Sequence, residues 1–266
     1  MKIFLYDGSE TEALDIIEIA RYLEENIGGC KVEVRGNLIV EATKGRADSS
    51  LTKLAEEIAR CKIQGLGIYD SNSQPLLAEV EYEKRRIQNL EKRSFGILYD
   101  GFKLLALYRQ LLEEEERSRN SLVIIFTDQL FGTWDRNNSR YHARVSIYGF
   151  PTIISTTGIV EAPAKPREFY LEKQFGIDMI TLKEKFKDKF IDYDDPRLTE
   201  VMKGYCMQAL FFHVSGEPFC EDNRCRLYNA HWQEEVIKAQ LTKPEFCERH
   251  EKIIGDLRKG RFEQVR

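Results

Sequence analysis

The stretch HVSGEPFCEDNRCRLYNAHWQEEVIKAQLTKPEFCERH, residues 213–250, carries two close pairs of residues that bind metals in proteins. Cys220 and Cys225 have four residues between them, and Cys247 and His250 have two. Two short pairs separated by a longer segment are the usual layout of a structural zinc site. Each pair bends a short loop around one edge of a tetrahedron, and the segment between the pairs supplies a helix that returns the second pair to the first.

Thiolate sulfur and imidazole nitrogen suit Zn²⁺, which has no redox chemistry of its own. With four protein ligands no coordination position is left for water, so the spacing predicts one structural zinc ion per chain and not a catalytic one. The alternative is that the cysteines are ordinary small buried residues and that the histidine lies at the surface.

Composition and charge exclude several classes of function. The chain has 266 residues, 42% of them hydrophobic, and a formal net charge of −4. A nucleic-acid-binding protein needs a basic face, so we expect no nucleic-acid partner. The longest apolar runs, such as LVIIF at residues 122–126, are too short to span a bilayer, and MKIFLYDGSE at the start is not a signal peptide. We therefore expect a cytoplasmic protein without a membrane partner, where cysteines rarely form disulfides.

Hydrophobic patterning predicts an α/β fold. KIFLY (2–6) and CKVEVRG (30–36) have the composition of strands, and residues 11–29 between them have apolar residues at helical spacing. SLVIIFTD (121–128) is the strongest strand pattern in the chain. Strands that alternate with helices in this way indicate a mixed, mostly parallel sheet covered by helices.

Two further segments give more specific predictions. EVEYEKRRIQNLEKR (79–93) is highly charged and predicts a strand followed by a solvated helix. DDPRLTEVMKGYCMQALFFHVSG (194–216) predicts a long helix with a buried stripe, capped by Asp195 and ended by Gly216.

The segment around His213 resembles the catalytic helix of the archaemetzincins, a family of zinc peptidases. That family is similar to other metzincins in its motif H-E-x-x-H-x-x-G-x-x-H, which runs into C-x4-C and is followed later by C-x2-C. When the family's C-x4-C is placed on the first cysteine pair, His213 matches the second metal-binding histidine and Gly216 the turn glycine. In the same register Ala209 replaces the first histidine, Leu210 the catalytic glutamate and Phe219 the third histidine.

The resemblance extends to other parts of the chain. FCERH is similar to the family's last knuckle, with His250 in place of a cysteine, and VIIFTDQLF (123–131) is similar to one of its strands. The resemblance implies a metzincin-like mixed sheet covered by helices. It further implies one continuous globular unit, with an α/β region over residues 1–193 and a vestigial active-site helix with a zinc-tied helical subdomain over 194–266. The chain also resembles an archaeal family described as metallopeptidases.

The replaced residues remove what metzincin catalysis requires. That chemistry needs zinc with three protein ligands and one open position, together with a carboxylate that takes a proton from water. Ala209 and Leu210 can neither ligate zinc nor accept a proton, and His213 alone would hold a metal poorly. Our first interpretation is therefore a catalytically degenerate member of a zinc-peptidase family that binds a peptide or a protein.

Two alternatives stay open. An active metal-dependent hydrolase with rearranged ligands would use His213, with Glu217 as a second candidate for a catalytic role. Cys206, seven residues before that histidine, and His142 are further candidates for ligands in such a site. The simpler explanation of His213 is a hydrogen-bonded core histidine. A structural or adaptor protein would instead have the Phe219 side chain in the old metal position.

Overall fold

The computed structural model describes residues 1–45, 47–67, 74–89 and 96–260, and in them it confirms the predicted mixed α/β fold. The strands are β1 (Lys2–Gly8), β2 (Lys31–Arg35), β3 (Leu98–Asp100), β4 (Ser121–Thr127), β5 (Leu130–Asp135), β6 (Arg140–Arg144), β7 (Ser146–Ile147) and β8 (Thr152–Ser155). The helices are α1 (Ile16–Asn26), α2 (Leu38–Thr43), α3 (Asp48–Ala59), α4 (Leu77–Gln88), α5 (Gly101–Leu111), α6 (Thr156–Glu161), α7 (Arg167–Gln174), α8 (Met179–Phe186), α9 (Leu198–Ser215), α10 (Gln233–Leu241) and α11 (Glu248–Arg258).

The described residues divide into two compact units. The sheet unit comprises residues 2–10 and 33–158, and the helical unit comprises Met1, residues 11–32 and the residues from 159 onward. The predicted boundary after residue 193 stays a prediction.

The larger sheet is mixed and has the strand order β2-β1-β4-β8-β7. β1, β4 and β8 run parallel to one another, with Leu5 opposite Ile124 and Ile125 opposite Ile153, and β7 lies antiparallel to β8. All seven residues of β4 are buried. A strand covered on both faces needs a continuous apolar run, which explains why the sequence SLVIIFT shows no alternation. A smaller sheet has the order β3-β5-β6.

The charged stretch that begins at residue 79 is a single helix within α4, so the predicted strand is wrong, and its residues 90–93 lie outside the described residues. The helix is also less solvated than its charge suggests. Glu83 is fully buried and accepts hydrogen bonds from the Tyr99 hydroxyl at 2.8 Å and from Nε of Arg86 at 2.9 Å. A buried carboxylate with these partners is compensated for the water that it has lost.

The helical unit is built around α9. All residues from Leu198 to Phe211 except the half-buried Glu200 are buried, so this part of α9 has neighbours on nearly all sides. The helix ends as predicted at Gly216, whose left-handed φ of 78° favours glycine. The cap position is Arg197, two residues after the predicted Asp195, whose carboxylate accepts a 2.9 Å hydrogen bond from the Arg197 amide and pairs with the Arg197 guanidinium at 2.7 Å.

No helix among the described residues combines the length and the apolar character needed to cross a membrane.

A glycine in α9 allows α10 to approach closely. A Cβ on Gly204 would lie 1.6 Å from Oε1 of Gln240 and 2.9 Å from Cγ of Arg226. The Gln240 side chain is buried and held by a 3.0 Å hydrogen bond from its Nε2 to the carbonyl of Arg226, so it cannot swing away freely. We expect Gly204→Ala to lower the free energy of unfolding by about 1–3 kcal/mol, measured by denaturant titration.

The matched control is Gly255→Ala in α11, where no atom lies within 4 Å of the new Cβ. There we expect a gain of up to about 1 kcal/mol, because alanine is the better helix former. Equal effects of the two substitutions would contradict the close approach at Gly204.

Candidate metal centre

A tight loop after α9 brings the first cysteine pair together. The loop begins at Gly216, whose amide donates to the carbonyl of Phe212 at 2.9 Å. Further along, the Cys220 amide donates to the carbonyl of Leu227 at 2.9 Å, and the Cys225 amide donates to the carbonyl of Asp222 at 3.0 Å. These bonds fold residues 220–227 back on themselves, so the two cysteines of the C-x4-C spacing meet.

The start of α11 supplies the second pair. Cys247 is the residue before the first turn of the helix, and His250 lies in that turn, so the two side chains share one helix end. The Arg226 amide donates to the carbonyl of Glu245 at 2.7 Å and joins the loop to the segment that leads into α11.

The structure brings all four predicted ligands together, with their ligand atoms within 4.8 Å of one another. Sγ of Cys220 lies 3.9 Å from Sγ of Cys247, and Nδ1 of His250 lies 3.6 Å from Sγ of Cys225 and 3.2 Å from Sγ of Cys247. Zinc bond lengths imply tetrahedral edges of about 3.8 Å between two sulfurs and about 3.5 Å between sulfur and nitrogen. The spacing of the four atoms is therefore compatible with a Zn²⁺ ion between them.

The surroundings of the cluster are largely apolar. Burial raises the pKa of the Cys220 thiol, raises the pKa of Cys225 to about 12 and lowers the pKa of His250. All three shifts disfavour charge on the protein groups, and a bound cation would favour the thiolates again. The Phe211 ring of α9 meets the His250 ring edge-on, with 5.2 Å between centroids, and fixes the orientation of the imidazole.

A buried arginine next to the second cysteine braces the same loop. Arg226 is 1% exposed, its guanidinium pairs with the carboxylates of Glu200 in α9 and Glu245 before α11, and it donates to the Gln240 carbonyl at 3.0 Å. Glu245 also accepts a 2.6 Å hydrogen bond from the Tyr22 hydroxyl of α1. The sequence does not predict this brace, because its partners lie on three separate segments and follow no spacing rule.

The other candidate residues are not brought into a comparable cluster. Within the described ranges, the four residues above are the one group of three or more Cys, His, Asp or Glu side chains arranged as metal ligands. His213 is half-buried near the end of α9, and burial lowers its pKa. Cys206 is fully buried in α9 and Glu217 is exposed in the loop. In the sheet unit, Nε2 of His142 lies 3.6 Å from the carboxylate of Asp135.

A groove of about 570 Å³ lies beside the loop and is lined by residues 216–221, 228 and 229. Phe219, the aromatic residue at the position of the family's third histidine, is 43% exposed and forms part of the groove wall. The groove is thus built from the same loop that carries the cysteine pair.

Residues 1–257 match the model of the "Probable metallopeptidase family (DUF6775)", and the chain belongs to this family. The match confirms the prediction of a metallopeptidase family. The chain is also similar to the crystal structure of an archaemetzincin from Methanopyrus kandleri, with 13% identity, a TM-score of 0.46 and coverage of 97% of this chain and 96% of that one.

A second similar structure is a zinc-dependent peptidase from Methanocorpusculum labreanum, with 11% identity, a TM-score of 0.42 and coverage of 96% of this chain and 100% of that one. At these TM-scores the two structures add nothing to the fold described above. No curated protein matches the sequence.

The brace can be tested with two arginines of one loop. Arg226→Met leaves Glu200 and Glu245 without their buried cation, so we expect the free energy of unfolding to fall by about 3 kcal/mol. Arg224→Met removes an arginine whose side chain is 72% exposed and 4.0 Å from Asp222, and we expect a change within about 0.5 kcal/mol. Denaturant titration of both variants measures the difference, and similar losses would show that burial does not set the contribution of Arg226.

Proposed function

We propose that this member of the metallopeptidase family holds one structural zinc ion through Cys220, Cys225, Cys247 and His250, and binds a peptide or protein without hydrolysing it by the metzincin route. The observation that carries the proposal is the closed set of four ligand atoms within 4.8 Å of one another. Three sulfurs and one nitrogen complete a tetrahedron, and a zinc ion so enclosed links two chain segments and activates no water.

The replacement of the motif's first histidine and its glutamate in α9 supports the second part of the proposal. Ala209 and Leu210 occupy the positions of the first histidine and the glutamate in the resemblance to archaemetzincins, and both are fully buried. The sequence contains no H-E-x-x-H motif. A general base has to reach the attacking water, and neither of these two side chains has an atom that accepts a proton.

The groove supports the binding part of the proposal. Its volume of about 570 Å³ is within the usual range for a ligand site, and its lining combines apolar and charged residues. A chain that keeps this groove while lacking a carboxylate at Leu210 is suited to binding an extended segment without cleaving it.

Metal content tests the structural zinc. Wild-type protein is expected to contain one zinc per chain, and Cys247→Ser is expected to lose most of it, because three remaining ligands hold the ion poorly. Since binding and folding are coupled at such sites, the variant should also lose on the order of 3 kcal/mol or more of unfolding free energy. Elemental analysis after gel filtration measures the first effect and denaturant titration the second.

Cys30→Ser is the matched control, because Cys30 is a half-buried cysteine of the same unit and is not one of the four clustered ligands. It is expected to keep its zinc. Zinc that survives Cys247→Ser would place the ion elsewhere.

Activity and a second variant test the lack of metzincin catalysis. We expect no chelator-sensitive cleavage of a mixed peptide library above the rate in buffer, and His213→Ala should leave the zinc content unchanged at one per chain. Two metals in the wild type and one in His213→Ala, together with peptide cleavage, would instead establish the alternative of an active hydrolase with rearranged ligands around His213.

A further inference from the structure

The groove beside the metal loop has walls fixed by the fold. One wall is the segment from Gly216 to Glu221, and the other is Tyr228 with its neighbour. A parallel bridge joins Cys220 to Tyr228, and Nε2 of the buried Gln208 in α9 donates to the Tyr228 carbonyl at 3.1 Å. The walls are thus held by backbone hydrogen bonds and by α9, so the groove exists before a ligand arrives.

The lining combines aromatic rings with carboxylates. Phe219 and Tyr228 offer ring surfaces, and Pro218 adds an apolar side. Glu217 and Glu221 are exposed, and neither forms an ion pair with a cation of the described residues. The two carboxylates line the same groove as rings whose faces are negative and attract cations.

Some surface carboxylates of the helical unit are paired with cations. Glu172 pairs with Lys185 at 2.6 Å, and Glu251 pairs with Arg258 at 2.9 Å. Glu217 and Glu221 differ from these two in having no ion-pair partner among the described residues.

We propose that the groove binds the cationic side chain of a lysine or arginine in a peptide segment. This inference rests on the proposed function as a peptide-binding protein and adds the chemical class of the ligand. An ammonium or guanidinium group between Phe219 and Tyr228 gains cation–π attraction, and Glu217 and Glu221 pair with its charge. The methylene stem of such a side chain packs on Pro218.

Volume and charge both favour this ligand over an acidic one. The groove volume of about 570 Å³ admits a long side chain with its flanking backbone. A carboxylate ligand would meet Glu217 and Glu221, and like charges at close range oppose binding.

Three labelled peptides that differ only at matched positions test the proposal with the full-length zinc-loaded protein. One peptide carries lysine, one norleucine, which has a similar stem and no charge, and one glutamate. Fluorescence anisotropy at low salt is expected to show the lysine peptide binding about tenfold more tightly than the norleucine peptide, with the weakest binding for glutamate. The preference should shrink as ionic strength rises.

Two double variants test whether the lysine peptide binds in the groove. Glu217→Gln combined with Glu221→Gln should weaken binding of the lysine peptide about fivefold to tenfold and leave the norleucine peptide unchanged. The control replaces two exposed carboxylates of α1 and α7, Glu25→Gln with Glu168→Gln, which removes the same charge elsewhere in the unit. Control binding should equal that of the wild type.

The outcomes separate this inference from the proposed function. Equal binding of the lysine and norleucine peptides, lost in Phe219→Ala, would overturn the cationic ligand and keep peptide binding. Binding that falls equally in the groove variant and in the control would overturn the location. No binding of any of the three peptides would overturn peptide binding itself, and with it the ligand class.

Discussion

The approach of three sulfur atoms and one imidazole to within 4.8 Å of one another is the constraint on which the C-terminal part of the helical unit depends. Burial of these groups adds little stability by itself, because it raises the pKa of the Cys220 and Cys225 thiols and keeps them uncharged. The loop that carries Cys220 and Cys225 buries few large apolar side chains, so it has little hydrophobic core of its own. A divalent cation bound by the four groups would stabilise the loop in place of a hydrophobic core. Metal binding by the cluster is therefore the best explanation of the loop's conformation.

The neighbouring residue gives the loop a second and chemically different anchor. Arg226 directly follows Cys225, and its guanidinium reaches Glu200 in α9 and Glu245 before α11. Buried ion pairs contribute little net stability when compared with apolar packing, but they are costly to break and specify one arrangement. The sulfur cluster therefore closes the loop, while the arginine fixes where the closed loop rests on α9. Gly204 allows that contact, because no Cβ stands between α9 and Gln240.

The sequence predicts the candidate metal centre better than several parts of the fold because the geometry of each ligand pair is local. A C-x4-C loop and a C-x2-H helix start each hold their two side chains within a turn or two of backbone, and Gly216 ends α9 for an equally local reason, its left-handed φ. Features that depend on distant partners are not predictable in this way. Glu83 and Arg86 are buried in α4 although charged runs are usually solvated, and Glu83 accepts a hydrogen bond from Tyr99 of β3.

The proposed lack of metzincin catalysis and the proposed peptide binding are compatible because they concern different parts of the helical unit. Ala209 and Leu210 lie inside α9, where they are fully buried and contribute to packing. The groove walls come from the loop after Gly216, and they are held by the bridge between Cys220 and Tyr228 and by the hydrogen bond from Gln208. In the resemblance to archaemetzincins, Phe219 occupies the position of a metal ligand. In this structure Phe219 is an exposed aromatic residue that lines the groove.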